Sequence, residues 1–163
     1  MLLNVERVDV QVNSFVRWQT DLVDLSEEEW KEAMEVLPKV SISLSQQLTQ
    51  LFIIHRTHYT PQKLYAWGKY TSPLCPRCSV SNGSLIHMLW RCPKLQKYWG
   101  KVFQTLNTLC CTGIACAPKI AILGIVPVGT LPIEMNKLWT RTLYLARKLI
   151  LQKWIDIAPP THK

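Results

Sequence analysis

Acidic side chains are scarce over most of this chain of 163 residues. Residues 51–163 contain two carboxylates, Glu134 and Asp156, against fifteen lysines and arginines. Two carboxylates so far apart in the sequence cannot assemble the acidic cluster that holds Mg²⁺ in nucleases and polymerases. A Gly-rich phosphate loop, a nucleophile elbow and an HExxH pair are also missing from the sequence. The sequence therefore predicts a protein that is not an enzyme.

Long apolar runs are missing as well. The first ten residues contain Glu6, Arg7 and Asp9 where a secretory signal would need an apolar core. The most apolar stretch, residues 114–128, is interrupted by Lys119 and two prolines and is too short to cross a bilayer. We therefore expect no membrane association and an intracellular location, in the nucleus, the cytoplasm or both. Because thiols stay reduced there, spaced cysteines favour metal binding over disulfides.

The formal net charge of +8 is unevenly distributed along the chain. Residues 1–50 contain nine acidic and four basic side chains, so an acidic segment precedes a strongly basic one. Such a basic body indicates an anionic partner, most often nucleic acid. The alternative is that the lysines only keep the protein in solution.

Residues 1–42 are predicted to form an acidic, helical N-terminal segment. Alternation over residues 8–12 indicates a short strand, and residues 14–22 are weakly helical. Ser26 and the glutamate three residues later form a capping box at the start of the next helix, which Pro38 is expected to end.

Residues 43–110 are predicted to combine three helices with a metal-binding knuckle. The first helix spans about residues 43–58. Its predicted apolar face consists of Leu44, Leu48, Leu51, Phe52 and His55. A short second helix begins at Pro61 and is ended by Gly68. The third, over about residues 93–109, is strongly amphipathic. Its apolar positions are Leu95, Tyr98, Trp99, Val102, Phe103 and Leu106.

Residues 111–163 are predicted to form an irregular connection and then a basic, amphipathic C-terminal helix. Residues 120–126 indicate either a short apolar strand or a buried turn. The last helix starts at Pro132 and runs to about residue 157. Together the three segments are expected to form one small, mainly α-helical domain that is organised around the metal-binding knuckle.

Four side chains have the spacing of a structural zinc site. Cys75 and Cys78 are separated by two residues, His87 follows after eight more, and Cys92 after a further four. Two thiolates at the first spacing reach one metal across a tight turn, and three thiolates with one imidazole complete a tetrahedral site. This closed set leaves no position for a catalytic water, so we expect a structural Zn²⁺. The alternative is that these residues are buried without a metal.

The spacing of His87 and Cys92 raises a geometric problem. On an unbroken α-helix these side chains would lie roughly 500° apart and would diverge. Pro93 biases Cys92 away from the helical region. We therefore expect a short helix that presents His87 and ends near Trp90, so that Cys92 can return to the metal.

Basic and aromatic side chains indicate where nucleic acid would bind. The candidates flank the metal ligands or recur at turn spacing on the two helices that follow, where they suit phosphate contacts and base stacking. They are Arg77, Arg91, Lys94, Lys97, Lys101, Lys137, Arg141, Tyr144 and Lys148. The alternative for each helix is an ordinary solvated face.

Several stretches of the sequence resemble one family. They are residues 25–30 (LSEEEW), 55–64 (HRTHYTPQKL) and above all 75–93, which contain CPRC and GSLIHMLWRCP. These stretches resemble the C-terminal zinc-knuckle region of LINE-type (non-LTR) retrotransposon reverse transcriptase proteins. Residues 145–154 are similar to the helix that closes that region, and the similarity extends over about residues 15–157.

The resemblance implies a function in nucleic-acid binding. In the family this region follows the endonuclease and reverse transcriptase domains and binds the element's RNA or the target during target-primed reverse transcription. It implies Cys75, Cys78, His87 and Cys92 as the zinc ligands. Its partners would be RNA, single-stranded or target DNA, and a reverse transcriptase polypeptide.

The chain also departs from the family. It has no polymerase Asp-Asp motif and no endonuclease domain, so it resembles a detached part of such a protein. Two other hypotheses stay open. One is a structural or protein-interaction module that docks on a polymerase body, and the other is a retroelement remnant without function.

Overall fold

Six α-helices and two π-helical turns make up the described part of the chain, residues 14–40, 43–127 and 129–161 of a computed structural model. The elements are α1 (14–21), α2 (Glu27–Val40), α3 (Leu44–Ile54), α4 (Pro61–Ala66), the first π-helical turn (His87–Arg91), α5 (Pro93–Cys110), the second π-helical turn (Lys119–Leu123) and α6 (Ile133–Gln152). Among these residues the one extended pairing is an isolated bridge between Leu74 and Asn82. The predicted mainly α-helical fold is confirmed, and the strand predicted over 8–12 lies outside the described residues.

Side-chain caps begin α2, α3 and α4. At α2 the predicted capping box is confirmed: Ser26 Oγ accepts from Glu29 N at 3.1 Å, and Glu29 Oε2 accepts from Ser26 N at 3.0 Å. Ser43 and Thr60 cap α3 and α4 in the same way. The prediction that Pro38 ends α2 is wrong, because the helix continues to Val40. A proline in the last turn removes one backbone donor and leaves the residues after it free to remain helical.

A single buried cluster extends from Trp18 in α1 to Ile150 in α6. At its centre α5 buries the whole predicted apolar face together with Cys110. Trp99 contacts Trp90 and Phe103, with ring centroids 5.8 and 6.5 Å apart, in tilted and edge-on arrangements that aromatic pairs favour. The predicted orientation of α5 is therefore confirmed.

The predicted apolar face of α3 is the wrong one. Its buried residues are Gln50, Ile53 and Ile54, whereas the predicted face is largely exposed. The exposed fractions are 70% for Leu44, 41% for Leu48, 45% for Leu51 and 47% for Phe52. The orientation follows from packing against the second π-helical turn, where the Gln50 side chain donates to the Ile122 carbonyl at 3.3 Å. The helix also ends at Ile54 rather than near residue 58.

Residues 111–161 differ from the predictions in detail. The buried-turn alternative is correct, since Ile120, Ala121, Ile122 and Leu123 form the buried second π-helical turn. Arg147 of α6 is buried and donates to the Ala121 carbonyl at 2.7 Å. Burial lowers the pKa of Arg147 to about 9. The last helix ends at Gln152 rather than near residue 157.

The acidic N-terminal helices contact the basic body through ion pairs. Asp21 pairs with Arg56 at 2.7 Å, and both side chains are mostly buried. Lys119 pairs with Glu29 at 2.8 Å and with Asp24 at 3.3 Å. Part of the positive charge of the body is therefore neutralised within the fold. No helix in the described ranges combines the length and the apolar character of a membrane span.

Candidate metal centre and basic surface

The four predicted ligands lie together beneath the surface. Their donor atoms are all within 4.8 Å of one another. Cys75 Sγ lies 3.9 Å from Cys92 Sγ, and Cys78 Sγ lies 3.4 Å from His87 Nε2. In a tetrahedral site with metal–sulfur bonds of about 2.3 Å and metal–nitrogen bonds of about 2.0 Å, donor atoms are separated by roughly 3.5–3.8 Å. The arrangement therefore fits one metal ion at its centre.

The first two ligands belong to a tight loop. Ser79 N donates to the Cys75 carbonyl and Cys75 N donates to the Ser81 carbonyl, both at 2.8 Å. Ser79 adopts a left-handed conformation with φ of 55°, which reverses the chain after Cys78. Backbone N–H groups of the loop point at the two sulfurs. These donors favour the thiolate form that binds a metal.

The other two ligands are joined by the first π-helical turn. Cys92 N donates to the His87 carbonyl five residues earlier, at 3.0 Å, and Cys92 itself is extended with φ of −60° and ψ of 124°. The wider π-helical turn brings the side chains of His87 and Cys92 to the same side, whereas on an unbroken α-helix they would diverge. Sequence reasoning predicted the departure of Cys92 from the helical region but missed the π-helical geometry, which is frequent at functional sites.

Burial and neighbouring charges set the ionisation of the cluster. Burial raises the pKa of Cys75 to about 11. Burial also acts to raise the pKa of Cys78, but backbone donors and its sulfur neighbours outweigh it and lower the value. Burial, with the charges of Arg77 and Arg91, lowers the pKa of His87, so its imidazole is neutral at pH 7 and able to bind a metal. A metal would displace thiol protons, so its affinity should fall as the pH falls.

Gly83 allows α4 to pack directly on the loop of residues 75–83, which contains Cys75 and Cys78 and is called the metal-binding loop below. A Cβ atom at this position would lie 2.7 Å from Cγ and 2.9 Å from Cβ of Pro61. Gln62 N donates to the Gly83 carbonyl at 3.4 Å across the same contact. The loop and the start of α4 are therefore held together by a close contact that a larger residue would disturb.

Two of the predicted nucleic-acid contacts are buried, and those predictions are corrected. Arg77 is 3% exposed and donates to the Met88 carbonyl at 2.8 Å, while its Nε and Nη2 have no hydrogen-bond partner in the described structure. Tyr144 is 5% exposed, on the side of α6 that faces the core. Neither side chain is accessible to a phosphate or a base in this structure.

Six exposed cations in residues 51–161 have neither an ion pair nor a side-chain hydrogen bond within the described ranges. They are Lys69, Lys94, Lys97, Lys101, Arg141 and Lys148. Of the other predicted contacts, Lys137 pairs with Glu134 at 3.1 Å, and the exposed Arg91 donates to the Asp21 carbonyl at 2.9 Å. Sequence reasoning missed Lys69, although its position between Trp67 and Tyr70 is an interleaving of cation and aromatic rings that nucleic-acid sites use.

Comparison with protein-family models does not identify a family. No protein-family model matches the sequence. The resemblance to LINE-type reverse transcriptases rests on the motif residues and stays a prediction.

Proposed function

We propose that this chain is a zinc-stabilised, helical nucleic-acid-binding module without catalytic activity of its own. The observation that carries the proposal is the charge of its surface. Among the described residues from 51 to 161, six exposed cations are unpaired. The two carboxylates of the same range, Glu134 and Asp156, are each paired with a lysine. A surface of unpaired cations attracts phosphates and gains affinity by releasing their counterions.

Zinc is the ion that the donor set favours. Three thiolates and one imidazole are soft and borderline ligands, and a closed tetrahedral set of this kind is typical of structural zinc. When bound, the ion would cross-link the loop of Cys75 and Cys78 to the turn that leads into α5. Its contribution would be stability, because it would join two separate segments of the chain.

Arg77 has a role in this proposal that differs from the predicted phosphate contact. Zn²⁺ with three thiolates and a neutral imidazole has one net negative charge, and burial of that charge is unfavourable without a partner. The buried guanidinium of Arg77 lies beside Met88, next to His87, and has two nitrogens without a hydrogen-bond partner. We infer that it offsets the charge of the loaded centre.

The ligand of this module would be RNA or single-stranded or target DNA, as the family resemblance implies. A reverse transcriptase polypeptide would accompany it, in the nucleus or the cytoplasm. Lys94, Lys97, Lys101, Arg141 and Lys148 are the predicted contacts whose side chains are exposed and unpaired. They contribute affinity rather than sequence specificity, since phosphate contacts do not distinguish bases.

Binding of a labelled single-stranded RNA by the zinc-loaded chain, measured by fluorescence anisotropy at several salt concentrations, tests the proposal. The logarithm of the association constant should fall with the logarithm of salt by about 0.7 for each phosphate contact. Lys94→Gln with Lys97→Gln should reduce this slope by about 1.4. The control is Lys31→Gln, which removes the charge of an ion-paired lysine on α2 and should leave the slope unchanged. An isotherm that does not change with salt contradicts the proposal.

A second candidate function is supported by the outer face of α3. Leu44, Leu48, Leu51 and Phe52 are exposed together on one short helix, and exposed apolar patches often mark protein interfaces. This candidate is a protein-interaction module that docks on a polymerase body. Calorimetric titration with a LINE-type polymerase fragment tests it. Tight binding that Leu48→Gln with Phe52→Gln abolishes, in a chain without RNA affinity, would favour this candidate over nucleic-acid binding.

A further inference from the structure

The surface around α4 has an unusual concentration of exposed aromatic rings. Between residues 59 and 70, Tyr59 is 65% exposed, Tyr65 49%, Trp67 57% and Tyr70 44%. Aromatic side chains of this size are normally buried, because each removes a large apolar area from water. Four exposed rings so close in sequence therefore indicate a surface that binds something.

Several contacts hold α4 and the residues before it in place. Thr60 caps α4 and Pro61 packs on Gly83 of the metal-binding loop. Trp154 Nε1 donates to the Tyr59 carbonyl at 2.8 Å, which ties the end of the chain to the start of α4. The rings of Tyr59 and Trp67 meet edge to face, with centroids 5.9 Å apart. A platform held in this way loses little conformational entropy when a ligand stacks on it.

A cleft of about 460 Å³ opens beside this platform. Its lining includes Lys69, Tyr70, Thr71 and Ser72 of the loop after α4, together with Pro76 of the metal-binding loop and Ile155. Among the residues that the structure describes, no carboxylate lines the cleft, and the nearby Asp156 pairs with Lys153 at 3.0 Å. The volume is within the range of sites that hold one small molecule or one residue of a longer ligand.

The chemistry of the cleft matches one class of ligand. Lys69 has no ion pair or side-chain hydrogen bond in the described structure, so its ammonium is free for a phosphate. The Thr71 and Ser72 hydroxyls can bond polar base edges or ribose, and the ring of Tyr70 offers a stacking surface. A ring, a cation and hydroxyls on one loop are what proteins use to hold unpaired nucleotides.

We propose that the cleft, with Tyr70 in its lining and the exposed ring of Trp67 three residues earlier, forms a binding site for unpaired nucleotides of a single strand. This inference rests on the proposed nucleic-acid-binding function and adds the place and form of recognition. Bases stack on the rings beside the metal-binding loop, and Lys69 contacts the connecting phosphate. Paired bases cannot enter because their faces are covered by their neighbours, so the site selects single strands over duplex.

The test compares three variants of the zinc-loaded full chain. Trp67→Ala and Tyr70→Ala should each weaken binding of a labelled uridine-rich 12-nucleotide RNA roughly tenfold. The salt slope should stay unchanged, because no phosphate contact is lost, and binding of an RNA duplex of the same length should not change. Phe52→Ala is the matched control, since it removes a ring of similar exposure from α3, and it should bind as the unmodified protein does.

A second measurement keeps the test independent of any folding defect in the variants. The same RNA with 5-iodouridine, irradiated with the unmodified protein, should crosslink to Trp67 or Tyr70 when the peptides are sequenced by mass spectrometry. Crosslinks confined to other residues, or full affinity in both aromatic variants, overturn this site while salt-dependent RNA binding keeps the proposed function. Absence of any RNA binding by the unmodified protein overturns the proposed function itself.

Discussion

The helices α5 and α3 differ in what they do with their apolar side chains. α5 starts directly after the ligand Cys92 and buries Leu95, Tyr98, Trp99, Val102, Phe103, Leu106 and Cys110. α3 buries two isoleucines and a glutamine and leaves Leu44, Leu48, Leu51 and Phe52 exposed. The comparison separates a region that is built into the core, α5 with the candidate metal centre before it, from a region with an exposed apolar surface.

This difference can be tested with matched substitutions in the two regions. Changes at the candidate metal centre and on the buried face of α5 should mainly affect stability, whereas changes on the exposed face of α3 should leave the folded state intact. The expected effects decrease from the metal ligands, through the core rings, to the residues that surround the ligands.

Cys92→Ser should have the largest effect, because it removes a metal ligand at the start of α5. We expect loss of bound zinc and of most helical circular dichroism, since the free energy of zinc binding is about 10–16 kcal/mol in small zinc domains. Cys116→Ser is the control, as Cys116 is exposed and outside the cluster. Full helicity and one zinc in Cys92→Ser protein would contradict the ligand assignment.

Phe103→Ala and Phe52→Ala make the same chemical change on the two helices. Phe103 is 2% exposed and contacts Trp99 and Trp139, whereas Phe52 is 47% exposed. We expect a loss of about 3–5 kcal/mol in the free energy of unfolding for the first, and about 0.5 kcal/mol or less for the second. Urea titration of the zinc-loaded chains measures both. Equal losses would show that the outer face of α3 is also part of the core.

The sequence predictions succeeded for α5 and for the grouping of the four candidate ligands, and failed for the orientation of α3. The convergence of Cys75, Cys78, His87 and Cys92, the α5 face and the Ser26 capping box were predictable because each depends on spacing within one short stretch of the chain. The orientation of α3 was not, because the helix contains apolar residues on two sides and the packing of Gln50, Ile53 and Ile54 against distant segments selects one of them. The burial of Arg77 and Tyr144 likewise depends on packing between distant segments, which helical periodicity does not encode.

Arg77→Met should weaken zinc binding by roughly 10–100-fold, as is typical when a group that supports metal ligands is lost. The cause is the loss of a buried positive charge beside the ligands. Competition with a chelator of known affinity measures the change. Lys94→Met is the control, because Lys94 is two residues from Cys92 in sequence but exposed. Equal affinities for the Arg77→Met variant and the unmodified chain would exclude the charge-balancing role.

Gly83→Ala should have a smaller effect, about 1–3 kcal/mol in the free energy of unfolding, because the new Cβ would overlap Pro61. Gly113→Ala is its control, since a Cβ there meets nothing within 4 Å. Thermal denaturation of both variants measures the difference. An unchanged melting temperature for Gly83→Ala would mean that α4 does not pack closely on the metal-binding loop.

Native mass spectrometry of the purified full chain tests the central claim most directly. The account predicts a folded species that is heavier than the polypeptide by one zinc ion, and the bare polypeptide mass once the same sample is denatured in acid. A folded chain at the bare polypeptide mass, from protein purified without chelators and with zinc supplied, would contradict it. The four side chains would then be packing residues, and the fold would be stable without a metal.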